Sequence, residues 1–143
     1  MKIFGWSKEL ESGIQLIDTQ HKQIIELANL IIIRRKFGDD TIIISEYLDF
    51  LQKYIQYHLQ SEEAFQSNTN YPKHRAHQVS HQSLATEFKF ILVKLQASNY
   101  EIKEAEKFYN FFISSIKNHI LVDDLEFSVY YKNILNQPKC SSL

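Results

Sequence analysis

Residues that interrupt helices are scarce in this chain: it has three glycines and two prolines in 143 residues, and Pro72 is the single one between Gly38 and Pro138. The punctuation they make with Asn, Asp and Ser reduces to FGDD near residue 38, SNTNYP near 68 and SNYE near 99, which leaves four long uninterrupted segments. Each carries apolar residues at alternating steps of three and four, the spacing of one helix face. In the first, roughly Thr19 to Phe37, the face reads His21, Ile24, Ala28, Ile31. In the second, roughly Ile42 to Gln66, it reads Leu48, Leu51, Ile55, His58, Glu62, Phe65. The third opens after Pro72, which suits a first helical turn, and runs His77, His81, Leu84, Phe88 and then Ile91 or Leu95; the fourth runs Ala105, Phe108, Phe112, Ser115, His119.

Connections this short make sequential helices antiparallel neighbours, so the pattern predicts an all-α, up-down-up-down four-helix bundle. Residues 1–17 hold Phe4, Trp6, Ile14, Leu16 and Ile17 without a helical period and read as an extended arm packed on the bundle. A polar tail follows from about residue 137, and no linker divides 1–143, so one domain is expected.

The 16 Lys and Arg against 17 Asp and Glu leave no basic footprint for nucleic acid. The isoleucine-rich run Leu30 to Ile33 ends at Arg34 and Arg35, too short for a membrane span, and the start MKIFGWSKEL lacks the apolar core of a signal peptide. A lone cysteine, Cys140, in the polar tail favours a reducing compartment and reads as an incidental thiol. A soluble cytoplasmic protein is the expectation.

Every helix aims histidine inward. One histidine on an apolar face is ordinarily a hydrogen-bonded core residue, but five of them, His21, His58, His77, His81 and His119, with Glu62 one turn from His58, would cost several kcal/mol each if left unpaired. A metal centre compensates them, because neutral imidazole donates a nitrogen lone pair and carboxylates balance the cations. His58/Glu62 and His77/His81 are i, i+4 pairs on one face. Five histidines plus carboxylates exceed what one tetrahedral zinc uses, so two metals are the economical count.

The segments IQLIDTQHK, HLQSEE, YPKHRAHQVSH and NHILVDD, with the FGW of the arm, resemble in order and spacing the metal-binding motifs of the hemerythrins, in particular the bacterial single-domain type. The resemblance covers nearly the whole chain. It implies two iron ions per chain, bridged by an oxo or hydroxo group, that bind dioxygen reversibly for storage, delivery or supply. By that resemblance His77, His81 and His119 hold one iron, His21 and His58 the other, and Glu62 and Asp124 bridge them. His74 falls outside the pattern and reads as a rim residue. Asp18 matches the family's IDxQH pattern, with either an N-cap or a hydrogen bond to a ligand as its role. Rival readings are a di-iron enzyme handling peroxide or nitric oxide, or an oxygen sensor acting through a separate partner.

Asp124 sets family and geometry against each other. It follows His119 by five residues, about 140° round a regular helix, whereas Asp123 at i+4 faces better. Following the family requires a local widening of the fourth helix between His119 and Asp124. Three positions depart from the family: Ser115 stands where a tryptophan is usual, Leu59 where a phenylalanine is, and Phe127 where a tyrosine is. The first two normally wall the dioxygen pocket, expected here to be formed by Ile24, Leu59, Ser115 and Ile116. Losing two aromatic side chains predicts a larger, wetter pocket, unless Phe108 or Phe112 swings in to fill it.

Overall fold

The computed structural model describes residues 2–137, so Cys140 and nearly all of the expected polar tail lie outside the described residues. Each of the four segments is a helix: α1 Gln15–Lys36, α2 Thr41–Asn68, α3 His74–Ala97 and α4 Ile102–Asn118. The last runs on through a π-helical turn, His119–Asp124, into α5, Leu125–Leu135. Local chemistry sets the ends. Asp40 caps α2, its carboxylate accepting from the Ile42 N–H at 2.8 Å. Asn70 and Asn99 turn the chain at φ 55° in both cases, a left-handed conformation that asparagine tolerates better than most residues. Pro72 lies in the turn before α3 rather than inside its first turn.

α1 packs against α2 and α4, and α3 packs against the same two. With connections at 37–40, 69–73 and 98–101, that is the up-down-up-down four-helix bundle. No strand occurs among the described residues, and no helix among them is long and apolar enough to cross a membrane.

α1 begins at Gln15, four residues before the expected start, and the reason is Asp18. Its carboxylate accepts hydrogen bonds from the Ser12 N–H (2.8 Å), the Ser12 hydroxyl (2.7 Å) and the Gly13 N–H (3.1 Å). Asp18 is therefore not the N-cap, a position held by Ile14. It reaches back from the first turn to hold the arm, where its charge also complements the helix dipole. Gly13 makes the bend at φ +81°, a conformation open to glycine. The arm has one short 3-10 turn, Lys8–Leu10, and buries Leu10 completely. The Phe4 N–H donates to the Tyr109 hydroxyl at 2.9 Å, and the Asn29 amide donates to the Phe4 carbonyl at 2.8 Å.

Two apolar clusters divide the interior. The larger includes Ile24, Leu48, Leu51, Phe88, Phe108, Phe112 and Ile116; the smaller comprises Ile14, Ile17, Tyr71 and Phe127, with Phe65, Tyr130 and Tyr131 against it. The inward histidines lie between the two clusters, with Tyr71 just ahead of α3 on the smaller side, so a polar layer is sandwiched between apolar ends. Phe65 therefore belongs to the end cluster, edge-on to Phe127 and Tyr131, and the α2 residue that continues the inward stripe is the fully buried Gln66.

Candidate metal centre

Seven side chains from the four helices converge in the polar layer: His21 from α1, His58 and Glu62 from α2, His77 and His81 from α3, and His119 and Asp124 from the π-helical turn. All are buried. They form two overlapping groups, His21, His58, Glu62, His119, Asp124 and Glu62, His77, His81, His119, Asp124, and in each the ligating atoms lie within 4.8 Å of one another. The carboxylates present different oxygens to the two sides. Glu62 Oε1 lies 2.6 Å from His77 Nε2 and 3.1 Å from His81 Nε2, while Glu62 Oε2 lies 3.4 Å from His58 Nε2. Asp124 Oδ1 lies 3.1 Å from His77 Nε2, and its Oδ2 lies 2.8 Å from His21 Nε2 and 3.0 Å from His119 Nε2.

These spacings fit ligands of shared ions. With metal–nitrogen bonds of about 2.1 Å, atoms on one ion sit roughly 3 Å apart, and the Nε2 atoms of His21 and His58 are 3.1 Å apart. Two of these contacts, His21–His58 and His81–Glu62, are aligned as hydrogen bonds, but Glu62 Oε2 and both Asp124 oxygens receive no aligned hydrogen bond, and His77 and His119 Nε2 give none. The ligating atoms converge on common points, the arrangement a cation satisfies once the rings are neutral.

The choice between Asp123 and Asp124 is made by the π-helical turn. Its wider i→i+5 pattern carries residue 124 over residue 119, and Asp124 is buried among the histidines. Asp123 stands at the edge, 29% exposed, with its Oδ2 at 3.6 Å from His119 Nδ1. His74 stays outside the cluster, with its Nδ1 at 3.5 Å from Gln66 Oε1.

Residues beyond the seven take up the outer ring nitrogens. Gln20 Oε1 lies 2.8 Å from His58 Nδ1, Gln66 Nε2 2.8 Å from His77 Nδ1 and Glu63 Oε1 2.8 Å from His81 Nδ1. Sequence reading passed over all three. Gln66 had a signal, since it is i+4 from Glu62 on the inward stripe; Gln20 and Glu63 stand inside the quoted motifs, as the glutamine of IDxQH and the last residue of HLQSEE.

Electrostatics follow from crowding charge in a dry layer. Burial would push His77 down, but the Asp124 and Glu62 carboxylates outweigh it and hold the imidazole up at about 9. His119 is likewise held well above its ordinary value against burial, chiefly by Asp124, while burial and the neighbouring His21 push His58 well below its own. Burial opposes the charge of Asp124, yet His119 and the other imidazoles keep its carboxyl well below the usual range. A protonated imidazole cannot ligate, so metal uptake at pH 7 should expel the protons on His77 and His119. Calorimetric titration with a divalent metal, repeated in buffers of different ionisation enthalpy, should show release of about two protons per chain at pH 7 and clearly fewer at pH 10. Heats independent of buffer at pH 7 would contradict these protonation states.

The expected larger, wetter pocket at Ser115 and Leu59 is corrected by the structure. The space against His58 is a small, partly open cavity of about 30 Å³, lined by Leu59, Leu84, Phe88, Phe112, Ser115 and Ile116 among others. Its walls are almost wholly apolar, and Phe112 is among the side chains that line it. Ser115 lies between this cavity and an open polar cleft of about 270 Å³ lined by Ser80, Ser83, Glu87, Asn118, His119 and Asp123. Ile24 is fully buried in the larger core and is not part of the cavity wall. Phe127 is fully buried in the end cluster.

Residues 12–128 match the sequence model of a family described as "Hemerythrin HHE cation binding domain". The chain is similar to "Bacteriohemerythrin" of Clostridium acetobutylicum, 27% identical over 128 residues that cover 87% of this chain and 98% of the relative. It is 33% identical to "Bacteriohemerythrin" of Pseudomonas paraeruginosa over 92 residues, 64% of this chain and 60% of the relative. A third "Bacteriohemerythrin", from Stenotrophomonas maltophilia, is 26% identical over 96% of this chain and 87% of its own length.

Proposed function

The chain belongs to the hemerythrin family, and from that premise we propose that it binds dioxygen reversibly at two iron ions, for storage, delivery or supply in the cytoplasm. His77, His81 and His119 would hold one ion, His21 and His58 the other, and Glu62 and Asp124 would bridge them. Two irons so held would supply the electrons that reversible dioxygen binding needs.

One observation carries the reading: the small apolar cavity touches His58, a ligand on the two-histidine side, and no member of the three-histidine set. A position with fewer protein ligands is thus the one that opens onto dry space. The cavity is small, and apart from His58 the Ser115 hydroxyl is the one polar side chain in a lining that is otherwise apolar. Such a lining would disfavour water on the ligand-binding side, and it presents no carboxylic acid that could hand over a proton. The chain's own contribution would thus be to hold two cations with mostly neutral donors, share two carboxylates between them and give one side an apolar lining. The enzyme reading drew its weight from a wet pocket, which this cavity is not.

Anaerobic loading with ferrous iron, followed by cycles of oxygen and vacuum, tests the proposal. An absorption band that appears with oxygen and disappears on its removal, through repeated cycles, is the expected result. Net oxygen consumption on each cycle would instead place the chain among enzymes.

A further inference from the structure

The five inward histidines differ in what stands behind them. His58 and His77 meet the neutral amides of Gln20 and Gln66. His81 Nδ1 meets the Glu63 carboxylate at 2.8 Å, and His119 Nδ1 faces Asp123 at 3.6 Å. The Nδ1 of His21 has no hydrogen-bond partner among the described residues. Negative charge is therefore confined to one side: both outer carboxylates back the three-histidine group, and the two-histidine group has one amide. Consecutive residues of α2 create this asymmetry. Glu62 points into the layer, and Glu63, about 100° further round the helix, runs along the flank of α2 to the outer edge of a histidine on α3.

Resting on the reading that the cluster holds two metal ions, we propose that Glu63 is a positioning residue that makes the His77–His81–His119 position the tighter of the two. Its charge-assisted bond requires a proton on His81 Nδ1, which leaves the Nε2 lone pair free for the metal and fixes the ring plane. A carboxylate partner also makes the imidazole a stronger donor than an amide does. Glu63 can play this part because its side chain is 28% exposed, so its charge stays solvated on one face, while His81 is 2% exposed and fixed by the helix. Two dications held by two bridging carboxylates are left net positive, and Glu63 supplies charge where the cluster has none to spare. The two-histidine position, without such support, is the weaker and the first to exchange its metal.

Anaerobic titration of the metal-stripped chain with cobalt(II), followed by its visible absorption, separates the two positions as a tight and a weak step. Glu63→Gln, which keeps an acceptor and removes the charge, should weaken the tight step about 10-fold, and Glu63→Ala up to about 100-fold. The weak step should stay where it is in both. Gln20→Ala should do the reverse, moving the weak step alone, which assigns the steps to their sides. Circular dichroism before metal addition should show all three variants with wild-type helix content, since Gln20 and Glu63 each sit on a helix held by the two cores. Two cobalt ions in the wild type with an unmoved tight step in both Glu63 variants overturns the inference and leaves the dinuclear reading standing. A wild-type chain that takes fewer than two cobalt ions overturns that reading, and the inference with it.

Discussion

Glu62→Ala should leave the chain unable to hold two iron ions. Glu62 is the only α2 carboxylate in both ligand groups, fully buried, with one oxygen toward His77 and His81 and the other toward His58. On the proposed two-ion reading its removal would take one donor from each ion and half of the negative charge inside the layer, so two dications would face one carboxylate and five neutral rings. Losing one donor costs more than the 10 to 100-fold typical of an outer partner, and here the loss falls on both ions. Iron per chain, measured after anaerobic loading and desalting, should drop from about two to below one. Asp124→Ala should behave alike, whereas Asp123→Ala and His74→Ala should retain two ions, because Asp123 lies at the edge and His74 outside the cluster. Two irons in Glu62→Ala, or their loss in His74→Ala to the same extent as in Asp124→Ala, would show that the cluster is not the binding site.

Chelating the iron should lower the thermal midpoint by roughly 10 °C. A ligand that binds only the folded chain at a thousand times its Kd adds about 4 kcal/mol, and each kcal/mol is worth about 2–4 °C for a chain near this size. The metal-stripped protein should also respond to pH in a stated direction. The imidazole of His77 is held up at about 9, so the stability it contributes is complete below its ordinary value near 6.5 and is lost as pH rises through about 9. Scanning calorimetry should therefore find the stripped chain less stable at pH 9.5 than at pH 6.5, with the gap to the loaded chain widest at the alkaline end. A midpoint indifferent to the chelator would mean that the layer is stable on protons alone.

Much of the site could be read from the chain because helices translate sequence spacing into facing. His58 and Glu62, or His77 and His81, share a face at i, i+4 whatever packs against them. Burial of five histidines could likewise be inferred, since they fall in register with residues such as Leu51, Phe88 and Phe112 that must go inside. The start of α1 was misjudged by four residues because Asp18 looks like a cap, while its three hydrogen bonds run backward to Ser12 and Gly13. Phe65 was placed on the inward stripe in preference to Gln66, since hydrophobicity is a poor guide where the layer itself is polar.

By itself, then, the sequence determined four helices, their order round the bundle, and the set of side chains each aims at a common layer. These depend on local periodicity and short connections, which act within one helix or between neighbours in the chain. Tertiary structure alone decided three matters. The π-helical turn brings Asp124 rather than Asp123 into the layer, a widening that the family resemblance required but helix periodicity did not encode, since such a turn is maintained only where packing and buried contacts offset its poorer backbone geometry. Glu63, Gln20 and Gln66 acquire their partners from the register of one helix against the next, which no periodicity encodes. The cavity beside His58 is small and apolar because side chains from three helices repack against one another, and close packing is a property of the assembled interior rather than of any single helix.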